Sequence, residues 1–301
     1  MCFTLLFIFG LVFGSFLNVV IFRYSPETGF FNIQKKRGGL STFHFPLSTL
    51  SWLGRSHCMH CRKTLKWQEL VPIFSFLFLR GKCSECKAAI SWQYPFVEFI
   101  SGLIFLLPLY FYNPIVNGQW SMVNGVLWTL VLLSFLVIWF IDYKHYIIPD
   151  ELVLFIALLG LANIFLKTFY HGLFALDNSF LGGYSLIFNF TGIVWINHLL
   201  GAVFGALIFG LIVVLSKGRG MGMGDLKLIT ALGLLMGWPD IIFVIIFSFL
   251  TGSLASFYLL AKKEKTMKSH VPFGPFIILG SLLTIFFGHQ ILDFYFSMIN
   301  I

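Results

Sequence analysis

The sequence predicts an all-α polytopic membrane protein, with about eight transmembrane helices and a small zinc-ribbon-like domain. Three observations support this fold class: an apolar composition, repeated apolar runs long enough to cross a bilayer, and two paired cysteine motifs in one polar segment. Of the 301 residues, 58% are hydrophobic and 11% are charged, against about 45–50% and about 25% in soluble domains. This composition excludes a soluble globular protein and a disordered chain.

Eight apolar segments are candidate membrane spans, since about 20 helical residues cross the hydrocarbon core of a bilayer. They cover residues 1–22, 96–113, 124–141, 151–168, 193–215, 226–238, 240–261 and 274–297. The first is expected to be a retained helix, because no basic residue precedes it and no small-residue cleavage site follows it. The sixth is short, so it is expected to be tilted, buried among its neighbours or continuous with the seventh.

The basic residues predict the topology and the division into domains. With eight spans, 19 of the 20 lysines and arginines lie in or beside the segments that follow odd-numbered spans, and only Lys167 lies on the other side. The positive-inside rule therefore places these segments in the cytoplasm. The chain then comprises a first transmembrane helix at 1–22, a cytoplasmic domain at 23–95 and a membrane domain of about seven helices at 96–301. The net charge of +8 reflects this topology, and no nucleic-acid partner is expected.

Two pairs of glycines, each pair spaced four residues apart, lie within predicted spans. Gly10 with Gly14, and Gly201 with Gly205, fit the pattern of small residues that lets membrane helices approach closely. We expect these glycines to mark helix contacts.

Four cysteines of the predicted cytoplasmic domain form two CxxC motifs, Cys58 with Cys61 and Cys83 with Cys86, separated by 21 residues. In each motif a tight turn can direct two thiolates at one metal ion, and this spacing is typical of four-thiolate zinc ribbons. A reducing cytoplasm favours metal-bound thiolates over disulfides. A closed shell of four thiolates leaves no open coordination position, so the zinc would be structural. Redox-active dithiols are the alternative.

Two of the twelve carboxylates, Asp142 and Asp225, are predicted to lie at the same edge of the membrane. Asp142 ends the third span, and Asp225 follows Gly222 and Gly224 at the start of the sixth. Two carboxyl groups at one depth can share a proton, so that one activates water while the other polarises a carbonyl group, as in aspartic proteases. Closely spaced glycines let a peptide approach the backbone. Ion or proton transport and helix capping are the alternatives for this pair.

Other charged residues near the spans carry weaker hypotheses. Asp150 starts the fourth span and is either an N-cap or a catalytic assistant. Lys227 lies in the first turn of the sixth span, where it either tunes a nearby carboxylate or anchors the helix at the cytoplasmic face. On the outward side, Asp177, Asp240 and Asp293 have no evident partner.

Motifs along nearly the whole chain resemble the type IV prepilin peptidases, a family of bacterial inner-membrane aspartic proteases with a GxGD motif. The matching segments, in the order of the family, are 14–23, 56–61, 65–72, 80–86, 90–98, 142–150, 222–227 and 272–275. Several motifs in one order are far more specific than any single motif.

The resemblance implies cleavage of leader peptides from type IV prepilins and from pilin-like secretion or competence subunits (pseudopilins), at the cytoplasmic face of the inner membrane. Asp142 and Asp225 match the catalytic pair. The residues expected to support this pair are Gly222, Gly224, Asp150 and Lys227. The resemblance also implies N-methylation of the new N-terminus with S-adenosylmethionine, an activity associated with the cysteine-bearing domain. The expected partners are prepilin-like substrates and the lipid bilayer, and the methyl-donor site is unassigned.

Two functions from other classes fit parts of the sequence. A membrane transporter could use Asp142 and Asp225 as an ion relay, with zinc stabilising its cytoplasmic domain. A membrane thiol-disulfide enzyme could use the two CxxC motifs. Ion flux without leader cleavage would favour the transporter, and redox-dependent loss of zinc and activity would favour the thiol-disulfide enzyme.

Overall fold

The computed structural model describes residues 2–26, 29–30, 55–111, 114–171, 179–184, 192–218, 220–262 and 271–298. These residues form helices, turns and three isolated β-bridges, without a β-strand. The chain folds as two compact units, Met1–Val137 and Ile138–Ile301. Arg219 and the basic residues of 31–54 and 263–270, which entered the topology prediction, lie outside the described residues, as does Asp177.

The first unit is built from helices on either side of the cysteine motifs. Its helices are α1 (Cys2–Arg23), α2 (Phe74–Phe78), α3 (Gln93–Phe111) and the first part of α4 (Pro114–His145), with a 3₁₀ helix at Trp67–Leu70. α1 packs against α3, so the two cysteine motifs are connected to a pair of apolar helices.

Small residues let α1 and α3 approach closely. A Cβ atom on Gly10 would lie 2.8 Å from the Cα of Gly102, and a Cβ atom on Gly14 would lie 2.7 Å from the Cα of Glu98. These distances are far below ordinary van der Waals contact, so only glycine fits at either position. The expected role of Gly10 and Gly14 in helix packing is confirmed.

The second unit surrounds a short central helix. It contains the last turns of α4, then α5 (Asp150–His171), a 3₁₀ helix at Gly182–Tyr184, α6 (Val194–Leu215), α7 (Met223–Met236), α8 (Asp240–Ala261) and α9 (Gly274–Met298). α7 has 14 residues and contacts α5, α6, α8 and α9. Its Leu228, Ile229 and Leu232 side chains are fully buried. Of the three expectations for the sixth span, burial among its neighbours is the one observed.

All eight predicted spans overlap helices. Six of the described helices are long and apolar enough to cross a membrane: Phe3–Arg23, Val123–His145, Asp150–Phe169, Val194–Leu215, Asp240–Ala261 and Gly274–Met298. The other two, α3 and α7, are apolar but shorter. The chain is therefore an all-helical polytopic membrane protein, as its composition predicted.

Glycines also set the contact between α6 and α7. A Cβ atom on Gly201 would lie 2.6 Å from the carbonyl oxygen of Gly233, and a Cβ atom on Gly233 would collide with the carbonyl oxygen of Gly201. One turn further along α6, a Cβ atom on Gly205 would lie 3.2 Å from the carbonyl oxygen of Ile229. The Gly201 and Gly205 pair is thus a packing surface too.

Two aspartates of the second unit have partners that the sequence did not reveal. Asp240, at the start of α8, is buried and accepts a hydrogen bond from the Ser179 hydroxyl at 2.5 Å. Asp293, in α9, accepts one from the Tyr184 hydroxyl at 2.8 Å. The expectation that these carboxylates lack partners was wrong, because the segment 179–184 folds onto the ends of α8 and α9.

Candidate active site and metal centre

Asp142 lies in the last turn of α4 and is only 4% exposed. The helix ends beyond it, where Tyr146 adopts a left-handed φ of 57° and donates its N–H to the carbonyl oxygen of Asp142 at 2.8 Å. The side chain is held from another helix, since its Oδ2 accepts a hydrogen bond from the N–H of Gly274 at 3.0 Å. The start of α9 therefore orients the carboxyl group that α4 carries.

Gly274 has no room for a side chain. A Cβ atom there would lie 2.5 Å from Oδ2 of Asp142 and 3.3 Å from Cδ1 of Ile148. The sequence marked the segment 272–275 only through its resemblance to a family motif, and the contact with Asp142 was not anticipated. The local sequence signal that could have drawn attention to Gly274 is its position between two prolines at the start of an apolar run.

Asp225 is the third residue of α7 and is 9% exposed. Gly222 is the N-cap of this helix, with extended backbone, and its N–H donates to Oδ2 of Asp225 at 3.1 Å. Asp225 thus makes a helix-capping contact, the role that the sequence analysis gave as an alternative to catalysis. Capping uses one lone pair of one oxygen, so the carboxyl group keeps acceptor positions for another role.

The fold brings the carboxyl groups of Asp142 and Asp225 together. Each carboxyl group adjoins a glycine that lies close to Ile148, in the link between α4 and α5. Ile148 lies beside the glycines of both sites, because a Cβ atom on Gly224 would lie 3.2 Å from its Cβ and Gly274 adjoins its Cδ1. The catalytic role of the two aspartates stays a prediction.

Lys227 and Asp150 form an ion pair within the second unit. The Lys227 Nζ donates to both carboxylate oxygens of Asp150, at 2.8 and 2.9 Å, and joins the fifth residue of α7 to the first residue of α5. Both side chains are largely exposed, so the pair is expected to contribute at most about 1 kcal/mol to stability. The sequence had treated the two residues separately.

The four sulfur atoms of Cys58, Cys61, Cys83 and Cys86 all lie within 4.8 Å of one another. The Sγ atoms of Cys58 and Cys86 are 3.9 Å apart, close to the spacing of about 3.8 Å that tetrahedral zinc with bonds of about 2.3 Å requires. The cysteine cluster could therefore hold a zinc ion.

The two CxxC motifs fold as equivalent turns. The residue after the second cysteine has a left-handed φ in each, 57° at Arg62 and 56° at Lys87. Its N–H donates to the carbonyl oxygen of the first cysteine, at 2.9 Å for Cys58 and 3.2 Å for Cys83. This repeated turn explains how two short segments point four sulfur atoms at one centre.

Backbone N–H groups favour thiolates within the cluster. Those of Glu85 and Cys86 lower the pKa of Cys83 to about 6. The N–H of Lys63 lowers the pKa of Cys61, but burial and the neighbouring thiols together outweigh it and raise that pKa to about 11. The Cys61 thiol therefore keeps its proton at neutral pH, and binding of a metal ion there would release that proton.

Glu69 joins the two cysteine motifs and was not singled out from the sequence. Its Oε1 accepts hydrogen bonds from the hydroxyl of Ser84, in the second motif, and from Nζ of Lys63, just after the first. Its Oε2 accepts one from the N–H of Lys66 at 2.8 Å. The Ser84 hydroxyl, followed by the Lys66 N–H and Lys63, lowers the pKa of Glu69 to about 2.

Comparisons with known proteins match the two parts of the chain that carry these sites. Residues 8–112, which include the four cysteines, match the bacterial peptidase A24 N-terminal domain, and residues 129–257, which include Asp142 and Asp225, match the type IV leader peptidase family. No solved structure matches with significance.

Curated relatives match over nearly the full chain. A protein of Stutzerimonas stutzeri is 30% identical over 94% of this chain and 90% of its own length. One of Pseudomonas aeruginosa is 32% identical over 94% of this chain and 89% of its own length. One of Aeromonas hydrophila is 28% identical over 97% of this chain and 93% of its own length. All three are named prepilin leader peptidase/N-methyltransferase.

These matches favour peptidase chemistry over the transporter alternative. Together with the six apolar helices, they indicate a multi-pass protein of the bacterial inner membrane. The resemblance first recognised in scattered motifs thus extends to both units. The chain belongs to the type IV leader peptidase family.

Proposed function

We propose that this protein is a membrane aspartic endopeptidase that cleaves the leader peptides of type IV prepilins and pilin-like proteins, and that it N-methylates the new N-terminus with S-adenosylmethionine. One observation carries the peptidase: Asp142 and Asp225 are buried carboxyl groups brought together by the fold, each held by the N–H of a glycine. The names of the curated relatives support both activities.

The two carboxyl groups would work as an aspartic protease pair when they carry one proton between them. The ionised carboxylate accepts a proton from the water molecule that attacks the scissile carbonyl carbon, while the protonated carboxyl group donates a hydrogen bond to the carbonyl oxygen. A proton then passes to the leaving amine. The glycine N–H groups at Gly274 and Gly222 hold the carboxyl groups in place before substrate arrives.

The reaction would take place at the cytoplasmic face of the membrane. Asp142 lies at the end of a candidate span, and Lys144 and Lys227 are near the two aspartates in sequence. The positive-inside rule supports a cytoplasmic position for this edge. A substrate whose basic leader is in the cytoplasm and whose apolar helix is in lipid would present its cleavage site there.

The cysteine cluster would hold a structural zinc ion. Four thiolates complete a tetrahedral shell and leave no coordination position for substrate, so such a zinc ion stabilises the fold and takes no part in peptide cleavage. Zinc would connect the two CxxC turns, which Glu69 already joins through hydrogen bonds.

Co-expression with a prepilin, followed by mass spectrometry of the pilin N-terminus, tests the function. The wild-type chain should yield pilin without its leader and with a methylated N-terminus. Asp142→Asn and Asp225→Asn keep the size of each side chain, and either should lower cleavage by about 10³-fold or more. Asp293→Asn is the matched control, because this carboxylate is exposed and bonded to Tyr184. Cleavage at the wild-type rate by either Asn variant at the proposed pair would refute the assignment.

A further inference from the structure

A cavity of about 470 Å³ lies within the first unit, between the C-terminal half of α1, the cysteine-bearing segment and the start of α3. Sites for small molecules and cofactors commonly measure about 300–1,000 Å³. The walls combine apolar side chains, such as Val19, Phe76 and Leu79, with a few polar groups from α1 and α3. The cavity therefore has the size and mixed lining of a ligand site.

Glu98 places a buried carboxylate on the wall of this cavity. It is 7% exposed, its Oε2 accepts a hydrogen bond from the N–H of Ile73 at 2.8 Å, and the Ser15 hydroxyl also hydrogen-bonds to it. Within the described part of the chain, no lysine, arginine or histidine side chain pairs with it. Burying an ionised carboxylate without a cation beside it is unfavourable. A positively charged ligand in the cavity would lower this free-energy penalty.

Aromatic rings lie beside this carboxylate. Phe22 and Tyr94 stack with their ring centroids 4.5 Å apart and their planes 11° apart, and both line the cavity. Tyr94 precedes Glu98 by one helical turn on α3, so the ring and the carboxylate share a face. Aromatic faces attract cations and stack with nucleobases. This wall therefore suits a ligand that carries both a positively charged group and a nucleobase.

Arg23, at the end of α1, adds a positive group to the same cavity. One of its guanidinium nitrogens donates to the carbonyl oxygen of Arg55 at 3.3 Å. A guanidinium presents its N–H donors in a planar fork, a geometry that matches the two oxygens of a carboxylate. A carboxylate, a guanidinium and a pair of aromatic rings therefore line the same cavity.

The cavity is larger than a metal site. Cys58 and Cys83 also line it, so the cysteine cluster forms part of one wall. A single zinc ion held by four sulfur atoms would occupy only a small part of the volume. The cluster would instead support the wall that a ligand contacts.

We propose that this cavity binds S-adenosylmethionine, with the Glu98 carboxylate facing the sulfonium charge, the Phe22 and Tyr94 rings beside the adenosine and Arg23 toward the amino-acid carboxylate. The inference rests on the proposed N-methyltransferase activity and gives that activity a location in the first unit. It places the methyl donor in a different unit from Asp142 and Asp225.

The test measures binding of two ligands to the purified, zinc-loaded full chain by calorimetry. S-adenosylmethionine carries the sulfonium charge, and S-adenosylhomocysteine has a neutral thioether in its place. Glu98→Gln keeps an acceptor for the Ile73 N–H and removes the charge. It should weaken binding of S-adenosylmethionine by about tenfold or more and that of S-adenosylhomocysteine by less than about threefold. Asp293→Asn, whose side chain is exposed and outside the cavity, should leave both affinities unchanged.

A second measurement uses the wild-type chain and does not depend on how a variant folds. Labelled S-adenosylmethionine is crosslinked to the protein by ultraviolet light, and the labelled peptides are identified by mass spectrometry. Label in residues 15–23 or 91–98 supports the proposal, whereas label confined to 138–301 overturns it. Zinc content and leader cleavage of Glu98→Gln should match the wild type.

The outcomes separate this inference from the function on which it rests. Unchanged S-adenosylmethionine binding in Glu98→Gln, with a wild-type chain that binds and methylates, overturns the site and leaves the proposed function intact. A wild-type chain that cleaves prepilin but neither binds S-adenosylmethionine nor methylates overturns the methyltransferase activity, and the site with it.

Discussion

The N–H of Gly274 donates to Oδ2 of Asp142 at 3.0 Å, which ties the first residue of α9 to the last turn of α4. Gly222 holds Asp225 in the same manner, at 3.1 Å. Each carboxyl group is thus oriented by a main-chain donor, which is not displaced when side chains move. Groups held in this way need little rearrangement during a reaction.

Gly274→Ala should impair peptide cleavage while the protein still inserts. The added Cβ atom would lie 2.5 Å from Oδ2 of Asp142, so the carboxyl group or the start of α9 must shift. A displacement of about 1 Å at a catalytic group can cost about 10²-fold in rate. Gly183→Ala is the control, because nothing lies within 4 Å of the position of its Cβ. Equal cleavage rates in the two variants would argue against this role of Gly274.

Reversing the ion pair of Lys227 and Asp150 should show whether it positions α7. Lys227→Asp alone sets two carboxylates against each other and should slow prepilin cleavage severalfold, whereas the double variant with Asp150→Lys should recover most of the rate. The free energy of unfolding of either variant should differ from that of the wild type by less than about 1 kcal/mol, because the pair is exposed. A double variant as slow as the single one would show that charge pairing is not what matters.

Cys83→Ser should abolish zinc binding by the purified protein. Removing one of four thiolates opens the tetrahedral shell. Metal analysis by mass spectrometry should find about one zinc per wild-type chain and little in the variant. Cys2→Ser, which removes the one cysteine outside the two CxxC motifs, should retain zinc. Full zinc content in Cys83→Ser would disprove the four-thiolate site.

Glu69→Gln should lower the stability of the first unit in a pH-dependent way. The pKa of Glu69 is about 2 in the folded chain, below its ordinary value of 4.5, because Ser84, Lys66 and Lys63 hydrogen-bond to its charged form. Its contribution is therefore complete above pH 4.5 and is lost as the pH falls toward 2. The Tm of the variant should lie below that of the wild type at pH 7, and the gap should narrow below about pH 4.5. A difference in Tm that stays constant down to pH 3 would contradict the stabilising role of the ionised Glu69 side chain.

Gly233→Ala should destabilise the second unit. Its Cβ atom would collide with the carbonyl oxygen of Gly201, and such overpacking commonly costs about 1–3 kcal/mol. Gly210→Ala is a matched control in α6, since its Cβ would only touch a Leu226 methyl group at 4.0 Å. Alanine favours helix over glycine by up to about 1 kcal/mol, so this control should unfold at the same temperature or higher. Thermal unfolding in detergent distinguishes the two.

Much of the fold was predictable because its signals are local. The apolar runs became helices at the predicted positions, and Gly10, Gly14, Gly201 and Gly205 became helix contacts. The cysteine spacing likewise predicted a four-sulfur cluster, since two identical turns need only their own residues to form.

The environment of the predicted acidic pair was much less predictable. Gly274 was marked only by a family motif, and no local pattern connects it to Asp142. Lys227 was expected beside the carboxylate of its own helix, and its hydrogen bonds are with Asp150 of α5. Periodicity and spacing report which face of an element is apolar, and they carry little information about which distant residues meet.

The sequence by itself determined that this protein is helical, lies in a membrane and carries four thiols suited to zinc, because composition and short-range spacing decide these properties. Tertiary structure alone decided that two glycine N–H groups orient Asp142 and Asp225, that Glu69 joins the cysteine motifs, and that α1 and α3 enclose a cavity beside Glu98. These features depend on close packing between segments far apart in the chain, where a single methyl group changes which contacts are possible.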